Sequence, residues 1–276
     1  MSQPTPNAPL AHAVAALKAA DGLLVTAGAG MGVDSGLPDF RGNAGLWAAY
    51  PALGRARLDF TRIANPAAFV ANPRLAWGFY GHRLRLYRET QPHAGFELLQ
   101  RIAAPLEHGL FVFTSNVDGQ FQKAGVPEAC ILECHGSIHH LQCLSSACRS
   151  GIWPAAGFMP VVDEAECLLR NAFPPCPACG GIARPNILMF DDWDWREDRA
   201  RQQRQRLDDW LARVRRPVVI EVGAGIAIPT VRHFGERVGG TFIRINPRDA
   251  QRPRRDALVL ELGALDGIQC LAERLC

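Results

Sequence analysis

The sequence lacks any apolar run long enough to cross a membrane, which takes roughly 18 to 20 residues. Its uncharged, apolar-rich stretches at residues 22–33 and 150–162 stop well short of that length. The first ten residues also lack the basic start and the continuous apolar segment of a secretory signal. We therefore expect a cytoplasmic protein with no membrane partner.

A strong excess of one charge is also missing. The chain has 30 basic and 27 acidic residues, a formal net charge of +3, and Lys18 and Lys123 are its only lysines. This balance does not favour nucleic acid as a partner, so we expect none. An apolar fraction of 48% with 21% charged residues excludes a disordered chain and predicts a globular protein with a sizeable core.

Cysteine is plentiful, but a disulfide framework is not expected. The nine cysteines are an odd number, and a reducing compartment keeps thiols free. Cys143 and Cys148 form one closely spaced pair, and Cys176 and Cys179 form a second. Four thiolates on two tight turns predict a tetrahedral zinc site with no open position, hence a structural one. The first spacing is wider than usual, and Cys167 is an alternative ligand.

Short runs rich in Val, Ile and Phe recur along the chain, separated by helix-compatible sequence. Such runs are typical of strands buried on both faces of a parallel sheet. They predict an α/β fold with a Rossmann-like, doubly wound sheet. Two of the runs end in Gly-Ala-Gly, where sheets of this kind bind ligands. The runs lie at residues 23–30, 110–116, 217–225, 241–246 and 256–262.

Two stretches interrupt this alternation and predict a smaller lobe. Residues 43–90 are aromatic with helical periodicity, and residues 143–184 are rich in Cys, Pro and Gly. We therefore assign these two segments to a helical and zinc-binding lobe. The sheet domain takes the remainder, residues 1–42, 91–142 and 185–276.

The segment from Arg196 to Arg216 is unusually basic, with eight arginines against four acids. It is typical of a solvated helix, followed by a strand that begins at Pro217. A docking face for an acidic partner is the alternative interpretation.

The first glycine-rich loop and the blocks after it carry a family resemblance. The loop reads GAGMGV and departs from the dinucleotide pattern GxGxxG at Val33. It is followed by SGLPDFRG at residues 35–42 and GLW at residues 45–47, which resemble the opening of the sirtuin family of NAD-dependent protein-lysine deacylases. Further blocks agree in order and spacing: TSNVDG at 114–119, ECHGSIHHLQC at 133–143 and RPNILMF at 184–190.

The resemblance implies that the sheet domain binds NAD as co-substrate along its edge. Asn116 and Asp118 would orient the leaving nicotinamide, and His135 would be the general base for a ribose hydroxyl. His139 and His140, beside the cysteine set, are given no catalytic role. The expected NAD-binding residues are Gly28, Ala29, Gly30, Asp39, Phe40, Arg41, Ser115, Asn116, Asp118, Gly223, Gly225, Asn246 and Pro247.

The resemblance also implies an acylated-lysine protein or peptide as substrate and O-acyl-ADP-ribose as product. Leu188 and Phe190 would contact the peptide. Tyr80 and Arg83 match the residues with which acid-preferring sirtuins hold an acyl carboxylate, which favours succinyl- or malonyl-lysine over acetyl-lysine. An ordinary amphipathic helix, with Tyr80 packed and Arg83 solvated, is the alternative.

Several positions depart from the family pattern. The family usually has Ser at Gly32, Gln at Ser115, Trp at Met189, Gly-Glu at residues 191–192 and Gly-Thr-Ser at residues 223–225. The changes at 189–192 fall where the family pairs the peptide as an added strand. They leave open ADP-ribosyl transfer or NAD glycohydrolysis at the same site. Gly32 and Ser115 are compatible with a third alternative, a non-enzymatic NAD or ADP-ribose sensor.

Overall fold

The computed structural model describes residues 7–39, 42–253 and 256–275, so the predicted ligands Phe40 and Arg41 lie outside the described residues. Within the described part, the strands are β1 (Gly22–Ala27), β2 (Leu110–Thr114), β3 (Ile131–Glu133), β4 (Gly136–Cys143), β5 (Trp153–Pro154), β6 (Val162–Asp163), β7 (Leu168–Leu169), β8 (Ala183–Ile187), β9 (Pro217–Val222), β10 (Thr241–Ile245) and β11 (Leu258–Leu260). The helices are α1 (Asn7–Ala19), α2 (Gly42–Ala49), α3 (Pro51–Arg55), α4 (Phe60–Ile63), α5 (Pro66–Ala71), α6 (Pro73–Glu89), α7 (Gly95–Ala103), α8 (Gln120–Lys123), α9 (Asp198–Arg213), α10 (Thr230–Arg237) and α11 (Ala264–Ala272).

A six-stranded parallel sheet in the order β11-β10-β9-β1-β2-β3 forms the centre of the larger part. The five predicted strands are all present in it, which confirms the α/β fold class. The sixth, β3, has only three residues and ends in a charged side chain, Glu133, so its run was too short to be recognised.

Both faces of this sheet are covered, as expected for a doubly wound fold. Successive residues of a strand point to opposite faces. Leu23 and Val25 accordingly pack on the side of α1, α7 and α11. Leu24, between them, packs on the side of α9 and α10. Apart from Thr26 the strand has no polar side chain, which is why it is recognisable from sequence.

The smaller part of the molecule has its own apolar core. It combines α2–α6 with the three-stranded antiparallel sheet β5-β4-β8 and the hairpin β6-β7. The chain passes between the two parts four times: before α2, between α6 and α7, between β3 and β4, and between β8 and α9. The domain division made from the sequence stays a prediction; residues 136–142 and 185–187, which it placed with the parallel sheet, pair in the antiparallel one.

Helix α6 lies in the core of the smaller part and contains the predicted acyl-binding pair. It begins after Asn72, whose side chain accepts the backbone N–H of Leu75 at 3.1 Å, and Pro73 occupies its first turn. Its inward face includes Tyr80 and Arg83. Among the described helices, α6 included, none has both the length and the apolar character that a membrane span requires.

Candidate active site at the carboxyl edge of the sheet

The two Gly-Ala-Gly loops lock together, backbone against backbone, where β1 and β9 end. The N–H of Gly30 donates to the carbonyl of Gly223 at 3.0 Å. A Cβ at Gly30 would lie 2.6 Å from the Cα of Gly223, and one at Gly28 would lie 2.8 Å from the Cα of Ala224. Gly223 also has a φ of +60°, which favours glycine. The two loops therefore contact each other directly, and the neighbouring loop is the reason that glycine is required at these positions.

The first glycine loop leads directly into a 3₁₀ turn. Ala29 opens a 3₁₀ turn, Ala29–Ser35, and is exposed, while Asp39 is half-buried beyond the turn. A Cβ at Gly32 would come within 3.0 Å of the Leu37 side chain. A serine at this position would therefore require the Leu37 side chain to shift by a few tenths of an ångström.

Buried polar side chains stabilise the second Gly-Ala-Gly loop by hydrogen bonds to its backbone. Asn246 is fully buried; its amide nitrogen donates to the carbonyl of Ala224 at 3.0 Å, and its amide oxygen accepts the N–H groups of Arg248 and Asp249. Arg232 donates to the same Ala224 carbonyl, and sequence reasoning missed it because arginine seldom marks a buried position. Asn246 therefore supports the loop. Its neighbour Pro247 is exposed.

The segment after β2 joins the first glycine loop through Asn116. The Asn116 amide nitrogen donates to the carbonyl of Gly28 at 3.0 Å, and the Thr114 hydroxyl donates to the carbonyl of Ala27 at 2.9 Å. Ser115 and Asn116 are half-buried. Gly225, at the end of the second loop, has nothing within 4 Å of an added Cβ, so a side chain would fit there.

His135 lies in the connection between β3 and β4, fixed on both sides. Before it, the N–H of Cys134 donates to Thr114 at 2.9 Å; after it, the N–H of Ile138 donates to Val117 at 3.0 Å. Gly136 has a φ of +77°, and a Cβ there would lie 2.1 Å from the carbonyl oxygen of Asn186, so only glycine fits. Burial lowers the pKa of His135, which keeps the imidazole neutral and able to accept a proton.

His139 contacts the same segment, although the sequence analysis gave it no role. Its Nε2 lies 2.8 Å from the carbonyl oxygen of Asp118. Burial lowers the pKa of His139, which favours a neutral ring that donates its N–H to this carbonyl. The His-Gly block of the sequence draws attention to His135 alone, and nothing in it signals this second contact.

Asp118 is a buried carboxyl group. Its Oδ1 accepts the N–H of Gln120 at 2.9 Å. Burial raises the pKa of Asp118 to about 6, against the opposing effects of that hydrogen bond and of the Arg83 charge. The site therefore contains a carboxyl group whose ionisation is unfavourable, in a residue that contacts the neutral imidazole of His139. Perturbed pKa values of this kind are common at catalytic centres.

We expect Asp118→Asn to stabilise the fold at high pH. The carboxyl pKa is about 6 in the folded chain and about 3.9 in an unfolded one. The folded state therefore holds its proton more tightly, and the stability lost by ionisation grows as pH rises from about 4 to about 6. Urea unfolding of the variant, which keeps the oxygen that Gln120 needs, should show a gain of about 1–3 kcal/mol at about pH 8 and little gain at about pH 4.

Asp208→Asn, at an exposed position of α9, is the matched control and should change the free energy of unfolding little at either pH. An equal gain for Asp118→Asn at both pH values would show that ionisation is not the cause.

The predicted acyl-binding pair is buried on one helix, with a partner that the sequence did not indicate. Tyr80 stacks on Phe69, their ring centroids 5.6 Å apart. The Nε and Nη2 atoms of Arg83 donate to the Tyr87 hydroxyl at 2.9 and 2.6 Å. Tyr87 therefore orients the guanidinium in the interior. The alternative of a solvated Arg83 is wrong, since the residue is 9% exposed.

The two acidic residues after β8, at positions where the family usually has Gly-Glu, have structural roles. Arg184 forms a bidentate, fully buried ion pair with Asp192 at 2.8 and 2.7 Å. Asp191 has a φ of +54°, in the region that favours glycine, which is the residue the family usually has there. Leu188 remains exposed, and Phe190 packs edge-on against Phe60.

The four predicted zinc ligands come together. The sulfur atoms of Cys143, Cys148, Cys176 and Cys179 all lie within 4.8 Å of one another, with the 143–179 and 148–176 pairs at 3.7 Å. Zinc–thiolate bonds of about 2.3 Å in a tetrahedron separate sulfur atoms by about 3.8 Å, so the set fits zinc. Cys167 is buried in the apolar core of the smaller part and does not join the set.

The comparison with known proteins decides the family. A sequence profile of the Sir2 family matches residues 28–209. An NAD-dependent protein deacylase of Thermococcus kodakarensis is 31% identical over 244 residues, covering 86% of this chain and 84% of the relative. This chain is a member of the Sir2 family. The sirtuin resemblance stated from the sequence is thereby confirmed.

Other members of the Sir2 family agree with this assignment. NAD-dependent protein deacylase 1 of Pseudomonas aeruginosa is 30% identical over 243 residues, 86% of this chain and 88% of the relative. A crystal structure of a Sir2 homologue with NAD matches at a TM-score of 0.71 and 22% identity, covering 96% of this chain and 93% of that one. At that identity, the match supports the Sir2 fold.

Proposed function

We propose that this chain is an NAD-dependent protein-lysine deacylase. One arrangement carries the proposal: hydrogen bonds join the first glycine loop, Asn116 and the segment that carries His135 at one edge of the sheet. An amide and a buried carboxyl group on these joined segments suit cleavage of a nicotinamide–ribose bond, and the neutral imidazole of His135 suits the acyl transfer that follows. The deacylase names of the relatives at 30% and 31% identity support the same conclusion.

The proposed reaction uses NAD as a substrate. As the nicotinamide–ribose bond breaks, the acyl oxygen of the lysine amide bonds to the ribose carbon, and Asn116 and Asp118 orient the departing carboxamide. His135 then takes a proton from a ribose hydroxyl, which attacks the acyl carbon. Water releases free lysine and O-acyl-ADP-ribose. The two glycine loops, with Asn246 beneath the second, would hold the NAD phosphates and ribose.

The zinc site would have a structural role. Four thiolates close the coordination sphere and leave no position for substrate. The proposed division assigns residues 43–90 and 143–184 to the smaller lobe. The metal would hold this lobe in place beside the NAD-binding domain. β4 begins at Gly136, directly after His135, and ends at Cys143, so one strand connects the proposed general base to the metal site.

The interior of the smaller lobe supports a preference for acidic acyl groups. Arg83 carries a buried positive charge close enough to Asp118 to favour ionisation of that carboxyl group. A succinyl or malonyl carboxylate entering beside Arg83 would gain a charge-assisted hydrogen bond, whereas an acetyl group would not.

Product analysis tests the deacylase proposal directly. The protein is incubated with NAD and a matched pair of acetyl- and succinyl-lysine peptides, and the products are measured by mass spectrometry. O-acyl-ADP-ribose that forms only with peptide present supports the proposal. Nicotinamide and ADP-ribose released with no acyl transfer would instead identify an NAD glycohydrolase.

The acyl preference has its own prediction. Arg83→Gln should lower kcat/KM for the succinyl peptide by about 10- to 100-fold, since a hydrogen bond to a charged group contributes about 1.5–3 kcal/mol. Tyr80→Phe, which keeps the ring stacked on Phe69, should lower it less, and both variants should leave the acetyl peptide within a few-fold of wild type. Arg85→Gln, on the exposed side of the same helix, is the control. Equal losses on both peptides would contradict the acyl clamp.

A further inference from the structure

The amino edge of the parallel sheet, opposite the site described above, carries a groove of about 970 Å³. It is bounded by the ends of α1, α9 and α10 and by the starts of β9 and β10. Arg204, Arg215, Arg216 and Arg237 line it, and we call it the basic groove. No carboxylate side chain is among the lining residues that the structure describes.

The arginines of the basic groove form no side-chain ion pair with a described carboxylate, unlike several other surface arginines. Arg215, Arg216 and Arg237 are exposed, and Arg204 lies 5.2 Å from the ring centre of Phe234. No ion pair joins any of the four to a described carboxylate. Elsewhere, surface arginines do pair with acids: Arg55 with Glu166, Arg85 with Glu164, Arg170 with Asp163 and Arg201 with Glu197.

A carboxylate close to the groove is engaged by the backbone of the same two arginines. Asp21, immediately before β1, is 6% exposed, and its two oxygens accept the backbone N–H groups of Arg215 and Arg216 at 3.1 and 2.9 Å. It thereby fixes the path of the chain between α9 and β9. The side chains of Arg215 and Arg216 remain exposed, and the positive charge of Arg216 is among the effects that lower the pKa of Asp21.

The floor of the basic groove is apolar. It includes Leu211 and Val214 at the end of α9 and Phe234 and Val238 around the end of α10, all partly exposed. A floor of this kind beneath a cationic rim suits a ligand that has apolar groups as well as negative charge.

We propose that the basic groove is a docking site for an acidic segment of another protein, one that alternates Asp or Glu with apolar residues. Its carboxylates pair with the rim arginines, and its apolar side chains cover the floor. A nucleic acid fits less well, because the groove's aromatic ring, Phe234, is already stacked on Phe113 at 4.0 Å and offers no open platform for a base. The groove is separated from the deacylase site by the length of the strands, so a partner here leaves that site open.

Fluorescence anisotropy on the full chain tests this proposal. The probe is a labelled peptide of alternating Glu and Leu, about ten residues long, or about 33 Å when extended. We expect saturable binding that weakens between low salt and about 0.3 M salt. The double variant R215E/R216E should lower the affinity by about tenfold or more, because two rim charges change sign. R237E, on a different element, should lower it as well.

Three comparisons make the test decisive. Arg213→Glu reverses one charge, as R237E does, at the exposed last residue of α9 and outside the groove lining, and should change the affinity little. A Lys-Leu peptide should not bind. Deacylation by R215E/R216E should equal that of the wild-type chain. The proposal is overturned if Arg213→Glu is as harmful as R215E/R216E, if the acidic peptide does not bind, or if a single-stranded oligonucleotide binds more tightly than the peptide.

Discussion

Replacing His135 by alanine is expected to lower O-acyl-ADP-ribose formation by about 10²- to 10⁴-fold, the usual contribution of a general base. The physical reason is the neutral imidazole, whose pKa burial has lowered, placed in a segment that hydrogen bonds clamp to Thr114 and Val117. Breaking the nicotinamide–ribose bond does not need this base. Nicotinamide release should therefore persist in the variant, and mass spectrometry of both products in one reaction separates the two steps.

The pH dependence adds a second readout for His135. The base must be unprotonated, so deacylation should fall only as the pH drops below the lowered pKa of His135, on the acid side of 6.5. His233→Ala, at an exposed residue of α10, is the control and should leave both the rate and the pH profile unchanged. Acyl transfer that survives His135→Ala unaltered would show that another group is the base.

Removing zinc should unfold the smaller lobe. Structural zinc sites contribute on the order of 10–16 kcal/mol of apparent binding free energy, more than most domains have in net stability. The four cysteines hold the two ends of residues 144–175, which otherwise contain only two-residue strands. Burial opposes ionisation of Cys176, but the N–H groups of Cys179 and Ala178 lower the pKa of this thiol to about 6, which favours a metal-binding thiolate.

Metal analysis and calorimetry measure this effect. We expect one zinc per chain, and we expect chelation or Cys176→Ser to abolish part of the cooperative melting transition together with deacylation. Cys270→Ser, on α11 and outside the set, should keep both. A chelated protein that retains its full cooperative transition would contradict the structural role of the metal.

The sequence was most informative where residues act through local pattern. Strand β1 is apolar at nearly every position because both of its faces are covered, and the cysteine pairs lie on short turns that identify them as ligands. β4 and β8 follow no such pattern: β4 reads GSIHHLQC, and its pairing with β8 shifts register between Ser137 and Leu141. They were recognised as family blocks and were not recognised as strands.

Contacts between distant residues could not be predicted in the same way. The approach of Gly30 to Gly223 joins loops far apart in the chain, and the glycine residues alone do not say what comes so close. The same holds for His139 and Asp118, and for Arg232 and the carbonyl of Ala224. Each contact depends on how the helices and strands pack against one another, and this packing cannot be predicted from periodicity or local spacing.

The four passages of the chain between the two parts restrict how these parts can move. A single linker would leave the lobes free to swing and twist about one another, whereas four connections at different places permit little more than a narrow hinge rotation. One of the four carries His135, the proposed base, and another carries Leu188, the proposed peptide contact, so any such rotation would displace both together. Any movement that separated the two parts would therefore also disturb the proposed catalytic arrangement.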